Sequence, residues 1–230
     1  MTCALLDELK GIGMDFYEFF RGPMAWTAFA VCIVATLLRL AILLGRARRI
    51  NRLHPAKSFS GGFKSIIRGI LPLGSSALRQ APLLGVVTFV FHLCVITVPV
   101  FLLAHIVLVY ESWQLQWVSL PDLPADLMTI IVMAGILFFA VRRWVRKAVR
   151  AVSDFSDWAL LIVVGGVFLT GLLSYHHWGP YRPLLITHVV LGDILLLMIP
   201  FTKLVHMVLF FFTRGYLGAE YEIVMDGEGL

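Results

Sequence analysis

Five long apolar runs, set apart by short basic segments, leave this chain essentially one class of fold. A helix needs roughly 17–25 mostly apolar residues to cross a bilayer, and runs at about 24–44, 83–110, 127–141, 158–175 and 183–212 meet or approach that length. The shortest, 127–141, is followed by Arg142 and Arg143, whose long side chains can snorkel to the interface. The chain is 60% hydrophobic and 14% charged, whereas a soluble domain is about 45–50% apolar and about 25% charged. A chain of 230 residues cannot bury so much apolar surface in one core, so lipid must cover much of it. The expected fold is an all-α membrane protein with five transmembrane helices. An N-terminal interfacial segment, 1–23, precedes the membrane domain, 24–212, and a tail, 213–230, follows it. Residues 1–21 mix Leu5, Leu6, Leu9 and Phe16 with Asp7, Glu8, Lys10 and Asp15, the pattern of a helix lying in the interface. The 46–82 connection contains Gly61-Gly62 and Pro72, which leaves room for a short interfacial helix and no domain. The N-terminus lacks the basic start, apolar stretch and small-residue cleavage site of a removable signal peptide.

The connections fix an expected orientation. Arg46, Arg48, Arg49, Arg52, Lys57, Lys64, Arg68 and Arg79 lie between the first two runs, and Arg142, Arg143, Arg146, Lys147 and Arg150 between the third and fourth. The alternate loops hold Glu111 and Asp122 in one and Arg182 alone as a basic residue in the other. The positive-inside rule then puts the N-terminus outside and the C-terminus in the cytoplasm. Tyr110, Trp113, Trp117, Tyr175, Trp178 and Tyr181 cluster where the outer interface should lie. Although the net charge is +5, its placement in blocks between spans is a topology signal, and no nucleic-acid partner is expected. Cys3, Cys32 and Cys94 form no C-x-x-C or C-x-x-C-H, so no cysteine-ligated iron–sulfur cluster or covalently attached c-type haem is expected in this chain.

Four of the seven histidines lie inside two of the runs: His92 and His105 in the second, His188 and His206 in the fifth. These runs cross in opposite directions, so depth pairs His92 with His206 near the cytoplasmic side and His105 with His188 near the outer side. Ionisable residues in spans are rare and usually functional. Two helices offering one neutral imidazole each at equal depth form the axial ligand set of a haem. At a rise of about 1.5 Å per residue the separations are ~20 Å and ~27 Å, which a tilted fifth helix reconciles. At about 100° per residue His206 returns to the face of His188, whereas His105 lies about 140° from His92. Pro99 stands between the latter two, and a kink or π-bulge there would absorb much of that rotation.

Other polar groups are candidates for supporting roles. Arg39 and Lys203 are placed to neutralise propionates of an inner haem or to snorkel. Asp193, His176, His177 and Glu111 are the candidates for a quinone or proton site toward the outer end, with plain solvation the simpler expectation for His176, His177 and His54.

With this pattern the chain resembles the gamma-subunit family of respiratory nitrate reductase. The likeness is strongest to a branch of membrane cytochrome b subunits found in multihaem-cytochrome-c transmembrane redox complexes of sulfate-respiring bacteria. The matching stretches are Gly22-Pro23-Met24-Ala25-Trp26, Phe91-His92 through Ala104-His105, Ser156-Asp157-Trp158, Leu185-Ile186-Thr187-His188 through Pro200-Phe201-Thr202-Lys203, and Phe211-Phe212-Thr213-Arg214-Gly215. The resemblance implies five spans, an outside N-terminus, and two haems b held by His92, His105, His188 and His206. It further implies a location in the bacterial inner membrane and a cytoplasmic iron–sulfur partner like heterodisulfide reductase. The nitrate reductase branch uses a lysine near its outer haem in binding quinol, but the segment from Glu111 to Asp126 has no lysine or arginine. A periplasmic multihaem cytochrome c is therefore the favoured outer partner, with menaquinone as the other. The expected function is that of an electron-transfer subunit in a respiratory oxidoreductase complex. The alternative is a non-redox transporter or assembly anchor whose histidines make structural hydrogen bonds.

Overall fold

Apolar side chains recurring all round a run, with polar connections between runs, give helices that face lipid on one side and neighbours on the other. The computed structural model describes residues 16–51, 59–72, 74 and 79–227, with the backbone alone at 50–51 and 220–227. The interfacial helix expected over 1–21 falls, for residues 1–15, outside the described residues, as does His54.

Among the described residues all regular structure is helical. A π-helical turn, Phe20–Met24, leads into α1 (Ala25–Asn51). There follow α2 (Phe59–Ile70), α3 (Pro82–Phe101), α4 (Leu103–Trp113), α5 (Asp122–Val145), the short α6 (Lys147–Ala151), α7 (Phe155–Tyr175) and α8 (Tyr181–Phe201). A single 3₁₀ turn, Lys203–Val205, then precedes α9 (His206–Gly227). Five stretches are long and apolar enough to cross a membrane: Phe16–Arg49, Pro82–Phe101, Asp122–Val145, Phe155–Tyr175 and Tyr181–Phe201. That is the make-up of a multi-pass membrane protein. Ile33, Leu38, Leu93, Leu137 and Ile162 each leave more than half of their surface exposed, a lipid-facing exterior that water would not tolerate.

The chain forms two compact units, one of Met1–Gly69 with Gly179–Leu230 and one of Ile70–Trp178. In the first, α8 packs on α1 and on the π turn before it. Pro23 sits inside that turn; proline has no N–H to give, and the wider i→i+5 spacing, with Ala25 N donating to Phe20 O, carries the helix past it. Ala28 and Thr36 are the buried residues of α1. Such small side chains allow close approach, which matters because lipid offers helices no hydrophobic drive to associate and dispersion must hold them.

In the second unit α3 packs on α5, and α5 on α7. Cys94, Val98, Val132 and Phe168 form its core, with Phe91, Val95, Met128 and Ile136 against them. Gly135 is required there: a Cβ at that position would lie 2.6 Å from a ring carbon of Phe91.

Each end of this unit is tied by polar contacts. At the start of α7, Asp154 accepts from Asp157 N while Asp157 Oδ2 accepts from Asp154 N, a reciprocal cap that satisfies two orphan donors. Arg143, from the last turn of α5, donates to Asp157 O at 3.0 Å and lies 3.8 Å from its carboxylate. At the other end Tyr175 Oη donates to Asp122 Oδ1 at 2.7 Å, and His176 Nε2 is 3.0 Å from Asp126 Oδ2.

The run expected to continue over 83–110 is broken at Leu102, which is extended (φ −70°, ψ 128°). The break falls three residues beyond Pro99, where a kink was expected. An unbroken helix would use the carbonyls of Pro99, Val100 and Phe101 for the amides four residues on. Here His105 Nδ1 donates to Pro99 O (2.9 Å), Trp117 Nε1 to Val100 O (2.8 Å) and Leu120 N to Phe101 O (2.8 Å). Trp117→Phe removes one of these donors and is expected to lower stability by about 1 kcal/mol. The check is the thermal midpoint in detergent together with faster proteolysis of 114–121, and an unchanged midpoint would count against this bracing of the break.

The run expected over 183–212 is likewise interrupted, at Thr202 (φ −120°, ψ −172°). Thr202 serves both sides of its break. Its hydroxyl donates to Met198 O at 2.7 Å and accepts from Leu204 N at 3.3 Å, while its own amide bonds Met198 O.

Candidate functional site

The two interruptions decide where the four membrane histidines stand. His92 lies within α3 and His188 within α8, both half-buried. His105 is the third residue of α4 and His206 the first of α9. Each unit thus holds one histidine in the body of an apolar helix and one just past a break that follows a proline, Pro99 or Pro200. Angular relations of about 100° per residue hold only within an unbroken helix. The 140° offset between His92 and His105, and the shared face of His188 and His206, therefore both lapse.

Three of the rings are oriented by the backbone. His92 Nδ1 meets Thr88 O at 2.7 Å, His105 Nδ1 meets Pro99 O at 2.9 Å and His206 Nδ1 meets Lys203 O at 2.6 Å. A carbonyl oxygen only accepts, so Nδ1 carries the proton in each, and the lone pair falls on Nε2. The usual helical bond back to the carbonyl four residues earlier accounts for His92. It does not account for the other two, which reach six and three residues back to carbonyls at the breaks. Phe91 stands edge-on to the His92 ring, with centroids 5.5 Å apart, and edge-on to Phe139 at 5.1 Å.

The supporting candidates divide. Asp193 is buried in α8, at 4% exposure, and among the described residues its Oδ2 has no hydrogen-bond partner. Arg39 on α1, Lys203 in the 3₁₀ turn and Glu111 on α4 are exposed. His176 is more than a solvated loop residue: it pairs with Asp126 and stacks on Trp178, centroids 4.8 Å apart. His177 has φ +53° and occupies the left-handed position of a helix C-terminal motif. Its amide donates to Ser174 O, and the Trp178 amide reaches Leu173 O. Among the described residues no group of three or more His, Cys, Asp or Glu side chains gathers as a ligand set; a haem asks for only one imidazole on each side.

Sequence reasoning read Trp117 and Tyr175 as interface aromatics, Asp122 as a loop charge and Arg143 as a basic flank, and foresaw neither their tertiary bonds nor that of Asp126. Trp117, Asp122, Asp126 and Tyr175 are joined to partners far along the chain, and those bonds give no local signal. Asp154-Phe-Ser-Asp157 before an apolar run is a capping pattern that a sequence does show.

A protein of Nitratidesulfovibrio vulgaris (strain Hildenborough) is 35% identical to this chain over 216 residues, covering 92% of this chain and 96% of the relative. No protein-family model matches the chain, and no solved structure matches it.

Proposed function

The chain belongs to one family with that Nitratidesulfovibrio vulgaris protein; from its membrane histidines we propose that it is a membrane cytochrome b subunit with two haems b. The observation that carries the reading is the backbone anchoring of His92, His105 and His206, each ring held with Nδ1 as donor and Nε2 as the lone-pair nitrogen. Fixing the second nitrogen of a ligating imidazole in this way sets its tautomer and orientation. The donor set therefore fits haem iron. Bound haems b would supply one-electron relays across the bilayer.

Depth along the sequence assigns His92 with His206 to the cytoplasmic-side haem and His105 with His188 to the outer one. Lys203, three residues before His206, and Arg39 are the cations for the propionates of the first. The subunit sits in the bacterial cytoplasmic membrane with its N-terminus outside. It conveys electrons between a periplasmic multihaem cytochrome c, or menaquinol, and a cytoplasmic iron–sulfur subunit resembling heterodisulfide reductase. Asp193, His176, His177 and Glu111 are the groups available to a quinol at the outer end. His176 already shares its ring with Asp126 and Trp178, which favours the cytochrome c route.

The test is a reduced-minus-oxidised visible spectrum of the purified chain, with haem assayed against protein. Two haems b per chain are expected; a colourless, folded protein would overturn the reading.

A further inference from the structure

Helix α2 has three distinct faces. At about 100° per residue, Phe59, Phe63, Ile66, Ile67 and Ile70 share one arc, Lys64 and Arg68 a second, and Gly61, Gly62, Ser65 and Gly69 a third. The third face is covered by α9. A Cβ on Gly62 would lie 2.7 Å from Gly215 O, and one on Gly69 would lie 2.8 Å from the Phe210 ring and 3.6 Å from Arg214 Nε. A Cβ on Gly218 would overlap the Ser65 side chain. Glycine on both helices makes a seam with backbone nearly against backbone. The α9 side of the unit is fastened again where Tyr216 Oη donates to Ala47 O, near the end of α1.

Ile66 borders the seam, against Gly215, but among the described residues the rest of the apolar face is open: Phe59 is 90% exposed and Phe63 58%, with Ile67 and Ile70 also exposed. Twelve residues make a helix of about 18 Å, too short to span a bilayer and suited to lying along it. Two routes put α2 at a membrane surface. It follows the end of α1, and it packs on α9, which leaves the end of α8. The first and fifth of five spans cross in the same sense, so these ends share a side. An apolar arc bordered by Lys64 and Arg68, with Arg214 beside the seam, is complementary to acyl chains below and negatively charged headgroups above.

We propose that α2 is an in-plane anchor that binds an anionic phospholipid leaflet, with Phe59, Phe63 and Ile67 in the acyl layer and Lys64, Arg68 and Arg214 at the phosphates. This stands independently of the haem reading, since it needs only that the chain span a membrane. The glycine seam makes the anchor continuous with α9, which begins at His206.

The test uses the full chain in nanodiscs of phosphatidylcholine with or without phosphatidylglycerol. Cys3, Cys32 and Cys94 are replaced by alanine, and a nitroxide is attached through Phe63→Cys or Arg68→Cys. At position 63 collisions with oxygen should exceed those with a water-soluble nickel chelate several-fold; at position 68 the order should reverse. A label at 63 open to the chelate, or screened from both reagents by protein, overturns the proposal. In the unaltered cysteine background, native mass spectrometry should find phosphatidylglycerol retained over phosphatidylcholine several-fold, and K64Q/R68Q should abolish that preference. Equal retention of the two lipids by the parent chain overturns the assignment of the basic face.

Discussion

His92→Ala is expected to yield a protein with one haem b in place of two, and His206→Ala should yield the same residual spectrum. His105→Ala and His188→Ala should each remove the other haem. The expectation rests on both ends of the imidazole. Nδ1 is committed to a backbone carbonyl at 2.7 Å in His92 and 2.6 Å in His206, so a methyl group in place of the ring removes a ligand whose direction was already set. A haem b would then keep one of its two protein ligands and, unlike a c-type haem, has no covalent link to the chain. The measurement is haem content with the low-temperature spectrum of each variant. His92→Ala and His206→Ala leaving different residual bands would break the pairing, while retention of both haems in any one variant would remove that histidine from the ligand set. A control comes from Thr88→Ala, which keeps the carbonyl that orients His92 and should leave both haems bound.

Gly135→Leu should destabilise the α3–α5 pair severely. A Cβ at Gly135 already meets Phe91 Cδ2 at 2.6 Å, with two further ring and Cβ atoms at 3.4 and 3.5 Å. Phe91 cannot simply swing aside, because its ring is set edge-on against Phe139 and packs on the core of Cys94, Val98, Val132 and Phe168. Overpacking a filled interior costs about 1–3 kcal/mol and sometimes more, and four added carbons belong at the upper end. Thermal unfolding in detergent gives the loss. The double variant Gly135→Leu/Phe91→Ala should recover much of it, since the two sites share one volume and their effects are then not additive. Additive losses, or a Gly135→Leu midpoint within a degree or two of the parent, would show that the two helices do not approach as closely as described. Because Phe91 adjoins His92, the single variant should also lose haem at the His92 pair before the other.

The spans were legible because hydropathy over about twenty residues is a local property that the bilayer enforces at every position. The interruptions were less so. A kink was expected at Pro99 and none at Pro200, and the chain departs from the helix at Leu102 and Thr202, three and two residues beyond those prolines. At Leu102 the deciding groups are Trp117 and the Leu120 amide, which reach back seventeen and nineteen residues to their acceptors. His176 shows the same limit. Read along the chain it is an outer-loop residue next to water; in the folded unit it meets Asp126, fifty residues earlier and on another helix. Asp157 was noticed within the Ser156-Asp157-Trp158 stretch, but its reciprocal cap is made with Asp154 and its ion pair with Arg143, on another helix. Of the candidate site, the histidines could be chosen from the sequence. The carbonyls that orient His105 and His206 exist as acceptors only because the helices stop.

The Leu120 amide bonded to the Phe101 carbonyl also closes a circuit. α3 ends and α5 begins at the same height, so everything from Leu102 to Pro121 is an out-and-back excursion that starts and finishes at one point. The packed pair α3–α5 is complete without it, as a hairpin would be without its decoration. Of the two candidate iron ligands in this unit, His92 belongs to the scaffold and His105 to the excursion. The unit therefore separates the helix pair that crosses the membrane from an excursion whose length that pair does not fix, and places His105 in the excursion.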